Sequence, residues 1–279
     1  MAESRISQLT HAGMTFDVID SGPLDGTPVV LLHGFPQRAA SWSKVSDLLN
    51  AEGMRTYALD QRGYSPGARP TSRFAYSMGE LVGDVTALID EIGQPVHLVG
   101  HDWGSAVAWA VAGSHPDLVR SLTAVSVAHP TAFMKSMVSS SQILRSYYML
   151  LFQLPVVPEH LLSRRDGLGE KMLRAAGMDR DMIETYRREI VADGALPGGL
   201  GYYRSILLGG KDLGRKVSVP TTYVWSDRDA ALARRGADLT PEYVTGPYEL
   251  VVVRGATHWL LDQNAPELAE SIIARVRSV

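Results

Sequence analysis

Val99-Gly100-His101-Asp102-Trp103-Gly104-Ser105 leads from an apolar run, through an aspartate with a glycine two positions away on each side, into an Ala-rich stretch. That is the strand–turn–helix setting of a nucleophile elbow. A residue at the tip of such a turn holds a strained backbone, and side chains in place of the glycines would strike the neighbouring strand and helix. The helix that starts just beyond also brings backbone N–H groups near the tip. Serine is the usual occupant; here it is Asp102. Ser105 comes too late and falls inside the helix, where it reads as a packing or backbone-bonding residue. Aspartate is also a favoured N-cap, so a simple helix cap at Asp102 is the plain alternative.

On either side of the turn, short apolar runs alternate with longer amphipathic stretches, the pattern of βαβ units around a mostly parallel sheet. Met14–Ser21 alternates like a half-buried strand, and Pro28–Leu32 is continuously apolar, as a strand covered on both faces should be. Arg55–Leu59, Val96–Val99, Leu122–Val127, Thr222–Trp225 and Leu250–Val253 repeat the theme. Helices are expected over Ala39–Leu49, Met78–Ile92, Ser105–Ala112 and Pro266–Val276, the last with Leu268, Ile272, Ile273 and Val276 at helical spacing. The fold class is therefore α/β, a sheet flanked by helices.

One interval breaks the rhythm. From about Thr131 to Arg215 no buried strand is evident, and the composition turns to Met, Leu, Tyr, Arg and Gly. Helices are expected around Ser141–Phe152, Gly169–Ala176 and Asp179–Val191, broken by Pro155, Pro158 and the Gly-rich Pro197–Gly201. The expected organisation is a core from residues 1–130 and 216–279 with a helical lid inserted over 131–215; irregular crossover helices are the duller alternative.

The bulk numbers narrow the class. At 279 residues the chain suffices for one α/β domain with an insertion. A net charge of -3 and a pI near 6.2 offer no electrostatic reason to expect nucleic acid or an anionic membrane. The absence of cysteine excludes disulfides, thiolate chemistry and Cys-ligated metals. Met1–Ile6 lacks a signal-peptide pattern, and no apolar run approaches the roughly 18 residues that span a bilayer. A soluble, cytoplasmic protein is expected.

A nucleophile needs partners. Donors for an oxyanion come from the residue after the nucleophile, Trp103, and from the loop after an early strand, where His33-Gly34-Phe35-Pro36 offers the Phe35 N–H. His33 itself reads as a structural loop histidine. A late histidine on a loop after a strand is His258, in Gly255-Ala256-Thr257-His258-Trp259. His101 should point away from the Asp102 side. His129 ends a strand where the insertion begins and is placed to line a pocket, while His11, His97, His115 and His160 have no motif around them. The acid that orients His258 belongs between nucleophile and base in chain order, and Thr222–Asp229 provides both Asp227 and Asp229.

Taken together these residues resemble the α/β-hydrolase-fold epoxide hydrolases, a branch with an aspartate nucleophile related to the haloalkane dehalogenases. The resemblance covers essentially the whole chain: HGFP at 33–36, DQRGYSPGARP at 60–70, GHDWG at 100–104 and GATHW at 255–259. It favours Asp229, four residues past Trp225, over Asp227 as the acid. It also implies two lid tyrosines that bind the epoxide oxygen. They fall on Tyr148, in Tyr147–Pro155, and on Tyr203, in Gly201–Arg204, with Tyr147 and Tyr202 as adjacent rivals. Neighbours on a helix point about 100° apart, so only one of each pair can face a pocket.

The implied reaction needs only water as cosubstrate, with no metal and no organic cofactor. Asp102 opens the epoxide, Tyr148 and Tyr203 serve the leaving oxygen, and water activated by His258 hydrolyses the ester to a vicinal diol. A haloalkane or haloacid dehalogenase is the nearest alternative. Against it, none of the five tryptophans lies in the lid, Phe35 stands where an asparagine would serve, and Trp103 stands where an arginine would hold a haloacid carboxylate. A non-catalytic ligand-binding protein of the same fold is the second alternative. The family occurs as monomers and dimers, which leaves a homodimer open.

Overall fold

The computed structural model describes residues 4–208 and 214–279. Its described strands are β1 (Gln8–His11), β2 (Met14–Ser21), β3 (Thr27–Leu32), β4 (Met54–Leu59), β5 (Val96–His101), β6 (Val119–Val125), β7 (Thr221–Ser226) and β8 (Tyr248–Val253). They form one sheet in the order β1-β2-β4-β3-β5-β6-β7-β8. The β1–β2 and β2–β4 pairs are antiparallel and every other pair is parallel.

The continuous apolar runs are explained by two cores, one on each face. Val30, Leu32, Leu98, Ala124 and Tyr223 pack on one side with Val85 and Leu88 of α2 (Met78–Ile92) and Val107 and Val111 of α3 (Trp103–Ser114). The residues between them, Val29, Leu31, Val99, Val125 and Val224, pack on the other side. There they meet Val45 and Leu49 of α1 (Ser43–Ala51) and Leu268 and Ile272 of α13 (Ala265–Arg277). Side chains alternate between faces along a strand, so strands covered twice must be apolar at every position. Each buried Val or Leu contributes roughly 1.5–3 kcal/mol.

Between β6 and β7 the described residues form helices only: α4 (Pro130–Ser139), α5 (Gln142–Arg145), α6 (Tyr147–Leu151), α7 (Val157–Ser163), α8 (Leu168–Ala175), α9 (Arg180–Tyr186) and α10 (Leu196–Ser205). Residues 209–213 of the expected 131–215 insertion lie outside the described residues. After β7 come α11 (Arg234–Leu239) and α12 (Leu260–Gln263), which precedes α13. No helix among the described residues is long and apolar enough to cross a membrane.

Several expectations in this interval need correction. The stretch Ser141–Phe152 is two helices, α5 and α6, parted at Ser146 with φ −94° and ψ 10°. Pro158 does not break a helix but occupies the first turn of α7, where a missing N–H costs nothing. Helix α9 passes into a π-helical stretch at Arg187–Ala192. Pro197–Gly201 is not a break either; it is the first half of α10. A Cβ at Gly198 would stand 2.2 Å from the Gly63 carbonyl oxygen, and one at Gly199 would stand 2.8 Å from the Phe35 ring. The glycines let α10 lie directly on the core loop, and that packing outweighs their poor helix propensity.

Candidate active site

Strand β5 ends at His101, and Asp102 turns the chain into α3 with φ 52° and ψ −117°. A non-glycine residue at positive φ is costly and persists only where its surroundings enforce it. The glycines do so as expected. A Cβ on Gly100 would stand 2.2 Å from the Gly104 carbonyl oxygen, and one on Gly104 would stand 2.2 Å from the Leu32 carbonyl oxygen. Gly34 has a related role that the motif reading did not expose: a Cβ there would stand 2.3 Å from the Asp102 Cβ.

Asp102 is not a side-chain helix cap, because its carboxylate makes no capping bond to α3. Instead Oδ1 accepts the Phe35 N–H at 2.9 Å, and the Trp103 N–H also favours the charged carboxylate. The other oxygen, Oδ2, stands 3.7 Å from His258 Nε2. Burial pushes the Asp102 carboxyl above its usual range, against the pull of His258 and the two N–H groups. Ser105 lies in α3 and donates to the Val127 carbonyl at 2.9 Å.

His258 sits on the loop after β8, and its Nδ1 meets Asp229 Oδ2 at 2.7 Å. Asp229 Oδ1 accepts the N–H groups of Ala231 and Leu232 at 2.8 and 3.1 Å. The rival Asp227 is exposed and accepts the Gly255 N–H at 2.7 Å, away from the imidazole. Burial alone would lower the His258 pKa, but Asp229 and then Asp102 hold the proton, and it is pushed up to about 9.

Tyr148 on α6 and Tyr203 on α10 come together with ring centroids 5.9 Å apart. Tyr203 also packs edge-on against Phe35 at 5.4 Å and Trp103 at 5.1 Å. Burial raises both phenols above their usual range, which keeps them protonated donors. The rivals face elsewhere. Tyr147 is 58% exposed, and the Tyr202 hydroxyl donates to the Arg62 carbonyl at 2.9 Å inside the core.

Two cavities meet at this point. One, of about 150 Å³, is lined by Met78, Leu81, Ala106, Phe133, Met149 and Leu232 among others. The other, of about 280 Å³, includes Phe35, Arg145, Phe152, Leu173 and His258. Asp102, Tyr148 and Tyr203 line both, so the carboxylate faces the two phenols where the cavities adjoin. Among the described residues, no three His, Asp or Glu side chains converge as a metal-binding group.

The remaining histidines sort by their bonds. His33 is buried, accepts the Gln61 N–H at 3.1 Å and is lowered to about 4 by burial. His129 does not line either cavity; it accepts the Thr131 N–H at 3.2 Å at the start of α4 and stacks on Tyr243. Pro130 follows it in the first turn of α4. His101 lies under the base: its Nε2 bonds the His258 carbonyl at 3.0 Å, and the two rings are 4.8 Å apart. Only its place beside Asp102 in the elbow hinted at this support.

An α/β sheet with a carboxylate at its nucleophile turn defines a class, and comparison with known proteins narrows it. Residues 27–156 match the family described as alpha/beta hydrolase fold. Epoxide hydrolase 3 of Xenopus tropicalis is 34% identical over 278 residues, covering 95% of this chain and 75% of the relative. The AB hydrolase superfamily protein YfhM of Bacillus subtilis is 32% identical, covering 94% of this chain and 93% of the relative. The crystal structure of an epoxide hydrolase from Vigna radiata superposes with a TM-score of 0.82 at 26% identity, covering 98% of this chain and 97% of that one. The chain belongs to the epoxide hydrolase family of the α/β-hydrolase fold.

Proposed function

We propose that this protein hydrolyses epoxides to vicinal diols through a covalent ester on Asp102. The observation that carries the proposal is the Asp102 carboxylate facing Tyr148 and Tyr203 where the two cavities meet. Oδ1 is held by the Phe35 N–H, which leaves Oδ2 to attack a ring carbon. The ring C–O bond breaks as the ester bond forms, and the leaving oxygen takes a proton from one of the phenols, which is left as a phenolate until the second half returns the proton. The helices over 131–215 act as a lid in this reading, since α6 and α10 carry the two tyrosines over the nucleophile.

In the second half, His258 removes a proton from water, and the hydroxide adds to the ester carbonyl. The carbonyl oxygen is then Oδ1, already bonded to the Phe35 N–H as it becomes an oxyanion, with the Trp103 N–H as the second donor in this reading. Collapse breaks the ester C–O bond, and the diol oxygen takes its proton back from His258. The proton left on the regenerated Asp102 carboxyl returns to the phenolate of the first half, which restores both groups. Asp229 keeps the imidazole oriented, as its 2.7 Å contact to Nδ1 and its two backbone bonds suit it to do.

The test is a single turnover of styrene oxide in oxygen-18 water. The label should enter the Asp102 peptide before it enters diol, and Asp102→Ala should make no diol. Label appearing first in the diol would sink the covalent route. Turnover of haloalkanes with no diol from any epoxide would instead make it a dehalogenase.

A further inference from the structure

One buried side chain of α5 ties the helical insertion to the loop that carries Asp229. Gln142 is 1% exposed. Its Nε2 donates to the Ala231 carbonyl at 2.7 Å and to Ser146 Oγ at 2.9 Å, and its Oε1 accepts the Ala233 N–H at 2.7 Å. Both amide hydrogens and a lone pair are therefore in use. Three residues on, Arg145 donates from Nη1 to the Asp229 carbonyl at 2.6 Å. Ala231 is gripped at both ends: its N–H by Asp229 Oδ1, its carbonyl by Gln142.

We propose that Gln142 is a positioning residue for the hydrolytic half-reaction, fixing the 231–233 backbone that aims Asp229, and through it His258, at the attacking water. This rests on the roles proposed above for Asp102, Asp229 and His258. An apolar side chain of the same size would leave the Ala231 carbonyl and the Ala233 N–H buried without partners, so the loop must shift to find new ones. The Asp229 carboxylate moves with it, because Ala231 and Leu232 hold its Oδ1. Ring opening depends on the loop less directly, since it uses Asp102 and the phenols while the loop gives it only the cavity wall at Ala231 and Leu232. Helix α6 keeps its seat through the backbone bond from Ser146 N–H to the Gln142 carbonyl at 2.9 Å.

The experiment compares Gln142→Met and Gln142→Glu with the parent, all full-length. Styrene oxide is the probe, the Asp102 ester is followed by mass, and the Nδ1 proton of His258 by its downfield NMR resonance without substrate. The Met variant should form ester at the parent rate and hydrolyse it roughly 10–100-fold more slowly, so the adduct accumulates. Its downfield resonance should disappear. The Glu variant keeps the acceptor for Ala233 and loses the donor to Ala231, and should fall between; it carries the comparison alone if the Met variant does not fold. Equal slowing of both half-reactions, or unchanged hydrolysis with the resonance intact, overturns the proposal. A parent that forms no ester would count against the roles of Asp102 and His258, and the resonance would still decide for or against Gln142.

Discussion

The charge on Asp102 and the proton on His258 depend on each other, with Oδ2 and Nε2 3.7 Å apart. In the free protein the two carboxylates around the imidazole raise its pKa to about 9, so it is largely protonated at neutral pH. A base must be unprotonated, and in the proposed reaction esterification moves His258 in that direction by removing the Asp102 charge, the smallest of the contributions that raise its pKa. Asp102→Asn mimics that state. Its His258 should titrate below the parent value, and a pH titration of the ring-proton NMR shifts reads it. The sign is fixed: losing a neighbouring anion destabilises the imidazolium and lowers its pKa. An unchanged His258 titration would remove the coupling. Asp102, His258 and the pair Asp227 and Asp229 were legible in the sequence because the elbow and the order of the chain mark them. The choice between the two aspartates rests in the structure on which carboxylate bonds the ring and which bonds Gly255. Gln142 and Gly34 were invisible, since an amide that bonds distant backbone and a glycine that yields room leave no pattern of their own.

At the scale of elements, the core strands and helices were readable because burial on two faces writes continuous apolar runs. β2 and α2 match their expected spans end to end. β1 escaped notice: it has four residues, and only Leu9 among them is buried. Helix α10 was misread for a different reason, as its glycines answer to partners far back in the chain, Gly198 to Gly63, 135 positions earlier. Gly198→Ala tests that contact. The clash is with backbone, which cannot swing aside, so the variant should lose about 1–3 kcal/mol in a urea melt. Its ring opening should slow as well, because α10 carries Tyr203. Parental stability and rate would mean that the close approach of α10 to the core loop has no functional weight.

Across the whole molecule, the helices between β6 and β7 are tied to the loops after β3 and β4 by Asp193, whose carboxylate meets Arg38 at 3.1 Å and also pairs with Arg69. Arg38 in turn bonds Asp60 from its Nε at 2.9 Å. Asp193→Ala should cost roughly 1 kcal/mol, since the pairs are only partly buried. Hydrogen exchange should quicken in the adjoining stretch Arg187–Ala192 while the central strands stay protected. Uniform exchange in parent and variant would show that the pinning lies elsewhere. Such pairs bridge distant segments, which is why no local pattern announced them. The smaller cavity has a consequence of its own for clearing the site. Around Asp102 and the phenols its walls are side chains such as Met78, Leu81, Ala106, Phe133 and Leu232. An epoxide brings one ether oxygen to this chamber, whereas the diol brings two hydroxyls. Each hydroxyl held there without a partner costs about 1–3 kcal/mol. Away from Asp102 and the phenols the chamber thus offers a second hydroxyl few partners, which favours release of the diol over its retention.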